Sequence, residues 1–404
     1  MPSCKHFPAC GGCQTLDREY PDQLRDKHAE IARHFADWPG LRIDAVLPSP
    51  RTEGYRHKVQ LPFGFDPPGA GGVGPTVGCY AAGSHAVVNQ EECLVQEPSL
   101  SRVAWAVRGW AIAHRLPIYR EDTGTGWLRH LLLRRGAGTG EILLGLVTNG
   151  RSIKSFDPKG LLPDLLDRCQ EAIAEGPEGG ELVGIVQSVN EKRNNVVLGG
   201  EENLWWGRAD MRESMGPFTF PAGMSTFLQV NPYQTPRLYD LAVASIPDGA
   251  SVLDLYSGIG SIALWASRKA ASVIGIEESP AAVAAARRAA AGNKVANARF
   301  LAADVGAALA DPGALLAQAG LPSDAISGAD AIIVDPPRKG LEQNVREALI
   351  SMKASRLVYV SCYPATLARD ARALAGTWKL SAISPADLFP NTRHVECVAV
   401  FDRA

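Results

Sequence analysis

Apolar positions along the first forty residues fall at helical intervals. Leu24, His28, Ile31, Ala32 and Phe35 recur with charges between them, which predicts an amphipathic helix over 17–38. From about 41 to 148 the texture changes to alternation broken by glycine and proline. The runs 58–63, 77–80 and 142–147 read as antiparallel strands, and PPGAGGVGP (67–75) as a surface loop or hairpin tip. Helical spacing returns over 101–114 and 161–174, and 183–189 and 195–198 continue the sheet. From about 223 alanine-rich helical stretches (233–245, 280–293) alternate with short β-branched runs (251–255, 272–276). That alternation is the βαβ signature of a doubly wound parallel sheet. The expected fold class is α/β: a C-terminal Rossmann-like domain, a central β-rich α+β domain and an N-terminal metal-cluster segment. Expected boundaries are 1–15, 16–47, 48–222 and 223–404.

Length, 404 residues, supports two or three domains. No run is long and apolar enough to span a bilayer, and MPSCKHFPAC is not a signal peptide, so a cytoplasmic protein is expected. A net charge of -2 excludes a globally basic nucleic-acid binder and leaves only a local basic face. Three of the eight cysteines fall within the first thirteen residues. That is unlike a disulfide framework and like a metal site in a reducing compartment. The spacing Cys4-x5-Cys10-x2-Cys13 with a Gly-Gly pair supplies three thiols for [4Fe-4S] or zinc, with a fourth ligand from afar.

Strand ends carry the remaining chemistry. The run 252–261, VLDLYSGIGS, is a strand, a glycine turn at Gly258 and a helix start. Glu277 ends the next apolar run, where a ribose diol is bridged, and Asp304 follows the one after. The three-glycine pyrophosphate turn is missing, which favours S-adenosylmethionine over a dinucleotide. Asp335 closes 331–334, Cys362 closes 357–360 and Glu396 precedes 397–401. Parallel strands converge at their C-terminal ends, so a thiol and two carboxylates are expected around one bound base. Cys79, Cys169 and Cys397 read as small core residues.

The segments FLQVNPYQ (227–234), DLYSGIG, DPPRKG (335–340), VSCYPATLARD (360–370) and FPNTRHVE (389–396) occur in one order. In that order they resemble the S-adenosylmethionine-dependent RNA uracil-5-methyltransferases. YRHKVQLPF (55–63), LRHLLLR (128–134) and the N-terminal cysteines extend the similarity.

The resemblance implies Cys362 as nucleophile and Glu396 as base. It implies Gln229, Tyr256, Gly258, Ser261, Glu277, Asp304 and Asp335 at S-adenosylmethionine, with Phe227 and Asp335 at the uracil. It also implies Cys93 as the fourth cysteine ligand, and iron–sulfur rather than zinc. Arg56, Lys58, Arg129 and Arg134 are expected on the RNA face. His57 stands where the family often has Asn, and Tyr256-Ser257 where Phe-Cys is common. Members often carry a small β-barrel RNA-binding module ahead of the cysteines. With the first cysteine at residue 4, the short form is expected, which resembles the ribosomal-RNA members. A monomer acting on 23S ribosomal RNA is the expectation, with transfer RNA as the alternative substrate. A DPP-type amino-methyltransferase needs neither Cys362 nor Glu396. A non-catalytic RNA-binding protein with this fold needs no nucleophile.

Overall fold

A computed structural model describes residues 3–65, 74–152 and 158–404. The expected hairpin tip at 67–75 lies, up to residue 73, outside them. After the cysteine segment come α1 (Tyr20–His34) and β1 (Arg42–Ile43). The middle of the chain runs β2 (Lys58–Phe65), β3 (Pro75–Val77), α2 (Pro98–Ala113), β4 (Leu128–Arg135), β5 (Glu141–Thr148), α3 (Leu162–Ala174), β6 (Glu181–Val189) and β7 (Glu201–Gly207). A hairpin of β8 (Asp210–Met215) and β9 (Phe218–Gly223) follows. The last part is α4 (Thr235–Ala244), β10 (Ser251–Leu255), α5 (Ser261–Ala266), β11 (Ser272–Glu277), α6 (Pro280–Gly292), β12 (Ala298–Ala302), α7 (Val305–Ala310), α8 (Gly313–Ala319), β13 (Ala331–Val334), α9 (Gln343–Ser351), β14 (Arg356–Ser361), α10 (Pro364–Leu374), β15 (Trp378–Ala386) and β16 (Glu396–Arg403). No helix among the described residues is long and apolar enough to cross a membrane.

Two sheets organise these elements. The larger has the order β1-β15-β16-β14-β13-β10-β11-β12, with β16 antiparallel to both its neighbours and the other pairs parallel. Helices cover both faces, so β13 is apolar throughout and fully buried. Strand order reverses beside β10, which has β11 on one side and β13 on the other. The crevice outside that reversal is the ligand position of such sheets. The smaller sheet, β3-β2-β4-β5-β6-β7, is antiparallel except for β5 and β6. One of its faces packs on α2 and α3. Leu132, Leu143, Val183 and Val186 on the other face join Met211, Phe220 and Trp265 in a core continuous with the larger sheet.

The stretch 195–198 departs from the strand expectation. Asn190 Nδ2 donates to the carbonyls of Val196 and Val197 at 2.6 and 3.1 Å, which takes those groups out of any ladder. The sheet is continued by β7 instead.

Helix α1 lies against the larger sheet through polar groups that its sequence presents as surface charges. Gln23 and Lys27 are buried. Lys27 Nζ donates to Asp387 Oδ1 at 2.6 Å and to the Phe389 carbonyl at 3.1 Å, and Tyr20 O–H donates to Asp387 Oδ2 at 3.0 Å. Burial pushes the Lys27 ammonium down in pKa and the Asp387 carboxylate opposes that shift. Lys27→Met keeps the apolar stem and strands the carboxylate. Urea unfolding should show a loss of about 3–5 kcal/mol, and an unchanged midpoint would mean the pair is replaceable.

Candidate active site

The glycine turn after β10 forms the floor of the crevice. Tyr256, Gly258 and Gly260 all have left-handed backbones, at φ 62°, 55° and 79°. A Cβ on Gly260 would stand 2.5 Å from Phe300, so only glycine fits there. Glu277, at the end of β11, is fixed by two amides. Gly258 N–H donates to Oε2 at 3.0 Å and Ser279 N–H to Oε1 at 2.9 Å. Asp304 caps α7, with Oδ1 accepting from Ala307 N–H at 2.8 Å.

The opposite wall comes from β13, β14 and β16. Ser361 pairs with Cys397 in the antiparallel ladder, so the next positions, Cys362 and Glu396, meet across it. Ser361 Oγ bonds both the carbonyl and the N–H of Tyr363 at 3.2 Å, and Pro364 starts α10, so Cys362 sits on a tight strand-to-helix turn. Asp335 follows β13, its N–H donating to Leu255 O at 3.3 Å. Phe227, 64% exposed, stands on the third side with Gln229. The cavity so enclosed measures about 610 Å³. It brings together Phe227, Gln229, Tyr256, Gly258, Glu277, Asp304, Asp335, Cys362 and Glu396. Ser261 does not join them: its hydroxyl is bonded to that of Tyr239 at 3.0 Å, behind the turn.

Charge is disfavoured on the wall formed by Asp335, Cys362 and Glu396. Burial raises the Asp335 carboxyl to about 7. Burial, then Asp335, hold Glu396 well above the carboxylate range, with Arg338 opposing. Burial pushes the Cys362 thiol to about 11, aided by Glu396 and Asp335 and opposed by Arg338. Asp254, beneath the glycine turn, is a group that sequence reasoning missed. It is 1% exposed, and burial, then Asp335, raise its pKa strongly, with the Ala263 N–H opposing. An acid inside the apolar run 252–255 was the available signal.

Two of the expected RNA contacts must be corrected. Arg129 is buried, its Nη1 donating to the carbonyls of Asn190 and Lys192 at 2.5 and 3.0 Å, with its guanidinium over Tyr119. Arg134 is 1% exposed and donates to the Thr226 carbonyl. Both are tied to backbone carbonyls and present no free cation to a phosphate. Arg56 and Lys58 are half-buried, and burial lowers the Lys58 ammonium to about 7, with Arg134 and Arg56 adding to the shift.

Cys4, Cys10, Cys13 and Cys93 face one cavity of about 320 Å³, together with Cys79. Cys79 is half-buried: it packs against the core of the smaller sheet and also lines this cavity. Gly12 N–H and Gln90 Nε2 point at Cys10 Sγ, at 3.3 and 3.1 Å. Thiols with N–H donors aimed at sulfur are a donor set suited to a thiophilic centre. Among the described residues, no three Cys, His, Asp or Glu side chains already stand at metal-holding separations. Arg338, Phe389 and His394 line both this cavity and the 610 Å³ one.

Residues 218–404 match the sequence model of the tRNA (uracil-5-)-methyltransferase family. A Leptospira interrogans protein described as an uncharacterized RNA methyltransferase is 39% identical over 401 residues, covering 99% of this chain and 98% of its own length. A Bacillus cereus protein of the same description is 36% identical, over 98% of this chain and 82% of its own. Among solved structures, the Pyrococcus abyssi tRNA (uracil-54, C5)-methyltransferase in complex with S-adenosyl-L-homocysteine superposes with a TM-score of 0.74 and 25% identity. That match covers 98% of this chain and 86% of the other. The chain thus belongs to the S-adenosylmethionine-dependent RNA (uracil-5-)-methyltransferase family.

Proposed function

We propose that this enzyme methylates C5 of one uridine in 23S ribosomal RNA, with Cys362 as nucleophile and Glu396 as base. The observation that supports this reading best is the β14–β16 register, which sets a thiol against a buried carboxylate at the mouth of the cofactor crevice. Uracil C5 is a poor nucleophile. Addition of the Cys362 thiolate to C6 moves the ring electrons onto C5 and the C4 oxygen. C5 then takes the methyl group from the sulfonium, and S-adenosylhomocysteine forms. Glu396 removes the C5 proton, the electron pair restores the C5–C6 double bond, and the C6–S bond breaks.

Asp335, with a carboxyl near neutrality, can donate a hydrogen bond to a uracil carbonyl. Phe227 offers a ring for stacking. Gln229, Tyr256, Gly258, Glu277 and Asp304 hold the cofactor in this reading. The cationic sulfonium favours ionised carboxylates and thiolate in the crevice. Methyl transfer abolishes that positive charge. Glu396 thereby becomes a stronger base at the step that needs one.

Cys4, Cys10, Cys13 and Cys93 would hold a [4Fe-4S] cluster, with a structural part and none in the methyl transfer. The ribosomal-RNA assignment rests on the resemblance of the cysteine segment to ribosomal-RNA members. The Pyrococcus abyssi relative, which acts on transfer RNA, supports the second reading. A cytoplasmic monomer fits either substrate.

Mapping 5-methyluridine in cells lacking the protein tests the substrate. Loss from one 23S position with transfer RNA intact is expected; loss from transfer RNA alone would move the assignment, and no loss would overturn it. For the mechanism, Cys362→Ala should lower turnover by at least about 10⁴-fold while still binding S-adenosylmethionine. Glu396→Gln should accumulate a methylated protein–RNA adduct on a denaturing gel. An inactive Glu396→Gln protein without adduct would remove Glu396 from the role of base. Anaerobically purified protein should be brown with about four irons per chain, lost on substitution of Cys93. One zinc and no iron would replace the cluster by a zinc site.

A further inference from the structure

Glu396 opens β16, and the segment that leads into it from β15, 387–395, has no ladder of its own. Local bonds, such as Thr392 Oγ1 donating to the Phe389 carbonyl at 2.8 Å, shape it in part, and contacts with distant parts of the chain fix it further. Leu388 O accepts from Asn231 Nδ2 at 3.0 Å, and Pro390 O accepts from the Tyr55 hydroxyl at 2.9 Å. The densest fixing falls on Asn391, which is 1% exposed and left-handed at φ 66°. Its N–H donates to Gln23 Oε1 at 2.8 Å and its Oδ1 accepts from Gln23 Nε2 at 3.1 Å. Its Nδ2 donates to Thr52 O at 2.9 Å. Its carbonyl accepts from the N–H groups of Gln14 and Thr15 at 3.0 and 3.2 Å, directly after the cysteine loop.

A left-handed non-glycine residue persists only where its surroundings over-determine it. Here a buried polar clip between α1 and the 387–395 segment does so. Asn391 itself does not line the catalytic cavity, but Phe389 and His394 on either side of it do, and Glu396 follows. We propose that Asn391, clipped to Gln23, is a positioning residue for Glu396. It sets where the carboxylate stands against C5 of the uracil when the proton is taken. This rests on the reading of Glu396 as the base. In that reaction the methyl group reaches C5 before Glu396 acts. A loosened clip therefore slows C5–H cleavage and the elimination that follows it, and leaves the methyl-transfer step intact.

Two variants test this. Asn391→Gly keeps the left-handed backbone and removes the side-chain bonds. Gln23→Met removes the partner bonds from α1 at similar volume, and decides the matter alone if the first variant fails to fold. RNA carrying tritium at C5 of its uridines would be mixed with enzyme and S-adenosylmethionine and quenched at intervals. The readouts are S-adenosylhomocysteine formed in the first turnover, tritium released, and protein–RNA adduct on a denaturing gel. Expected are a first-turnover burst at the native rate, tritium release slowed about 100-fold, accumulating adduct and unchanged cofactor affinity. Native tritium release in the variants that fold, or a burst slowed in step with it, would reduce the clip to a purely structural part. Glu396→Gln runs alongside. If it gives no adduct, the base assignment fails; if it does and the clip variants do not, only the positioning role fails.

Discussion

Desolvation in the crevice outside β10 and β13 governs the chemistry open to this protein. Asp254, Asp335 and Glu396 are all pushed toward their neutral forms by burial, and Cys362 toward its thiol. Arg338 is the cation that opposes the shifts at Glu396 and Cys362. A cationic cofactor is then both a reactant and the counter-charge that the acids lack. In the proposed reaction the same burial would limit the access of bulk water to the enolate, which water would protonate at C5.

That environment is assembled from segments far apart in sequence. The turn after β10 and the ends of β11, β13 and β14 come from the parallel sheet, and Glu396 from the antiparallel intruder β16. Phe227 and Gln229 arrive on the connection from the β8–β9 hairpin. Among the described residues the N-terminal arm contributes no group to the catalytic cavity, yet Lys27 and Gln23 hold the segment from which Glu396 emerges.

Much of the scaffold was legible because its signals are local. Alternating apolar runs and alanine-rich helices mark a parallel sheet, and an acid or thiol placed just after such a run must stand at a strand end. Glu277, Asp304, Asp335 and Cys362 were found this way, and they do line one cavity. What failed depended mostly on partners that lie tens to hundreds of positions away. Arg129 and Arg134 look like an exposed basic stripe until the carbonyls of Asn190 and Thr226 are seen beneath them. Lys27 reads as a solvated helix charge because Asp387 lies 360 positions on. Asp254 was passed over because a charge inside a strand contradicts the pattern that identifies the strand. Ser261 sat at the right spacing, but Tyr239 had already taken its hydroxyl.

The apolar core that runs from β4, β5 and β6 through the β8–β9 hairpin to Trp265 joins the two sheets along part of their boundary, while the 320 Å³ cysteine cavity lies between them elsewhere. A protein with a seam can close around its substrate like a jaw. Here the shared core resists that closure. In the proposed reaction, the deformation that brings a uracil to Cys362 would fall largely on the nucleic acid, which unstacks the base and swings it out at a cost of about a few kcal/mol. Selectivity follows from that division of labour. Among uridines with the same edges, the enzyme would favour the one whose surroundings already hold it loosely.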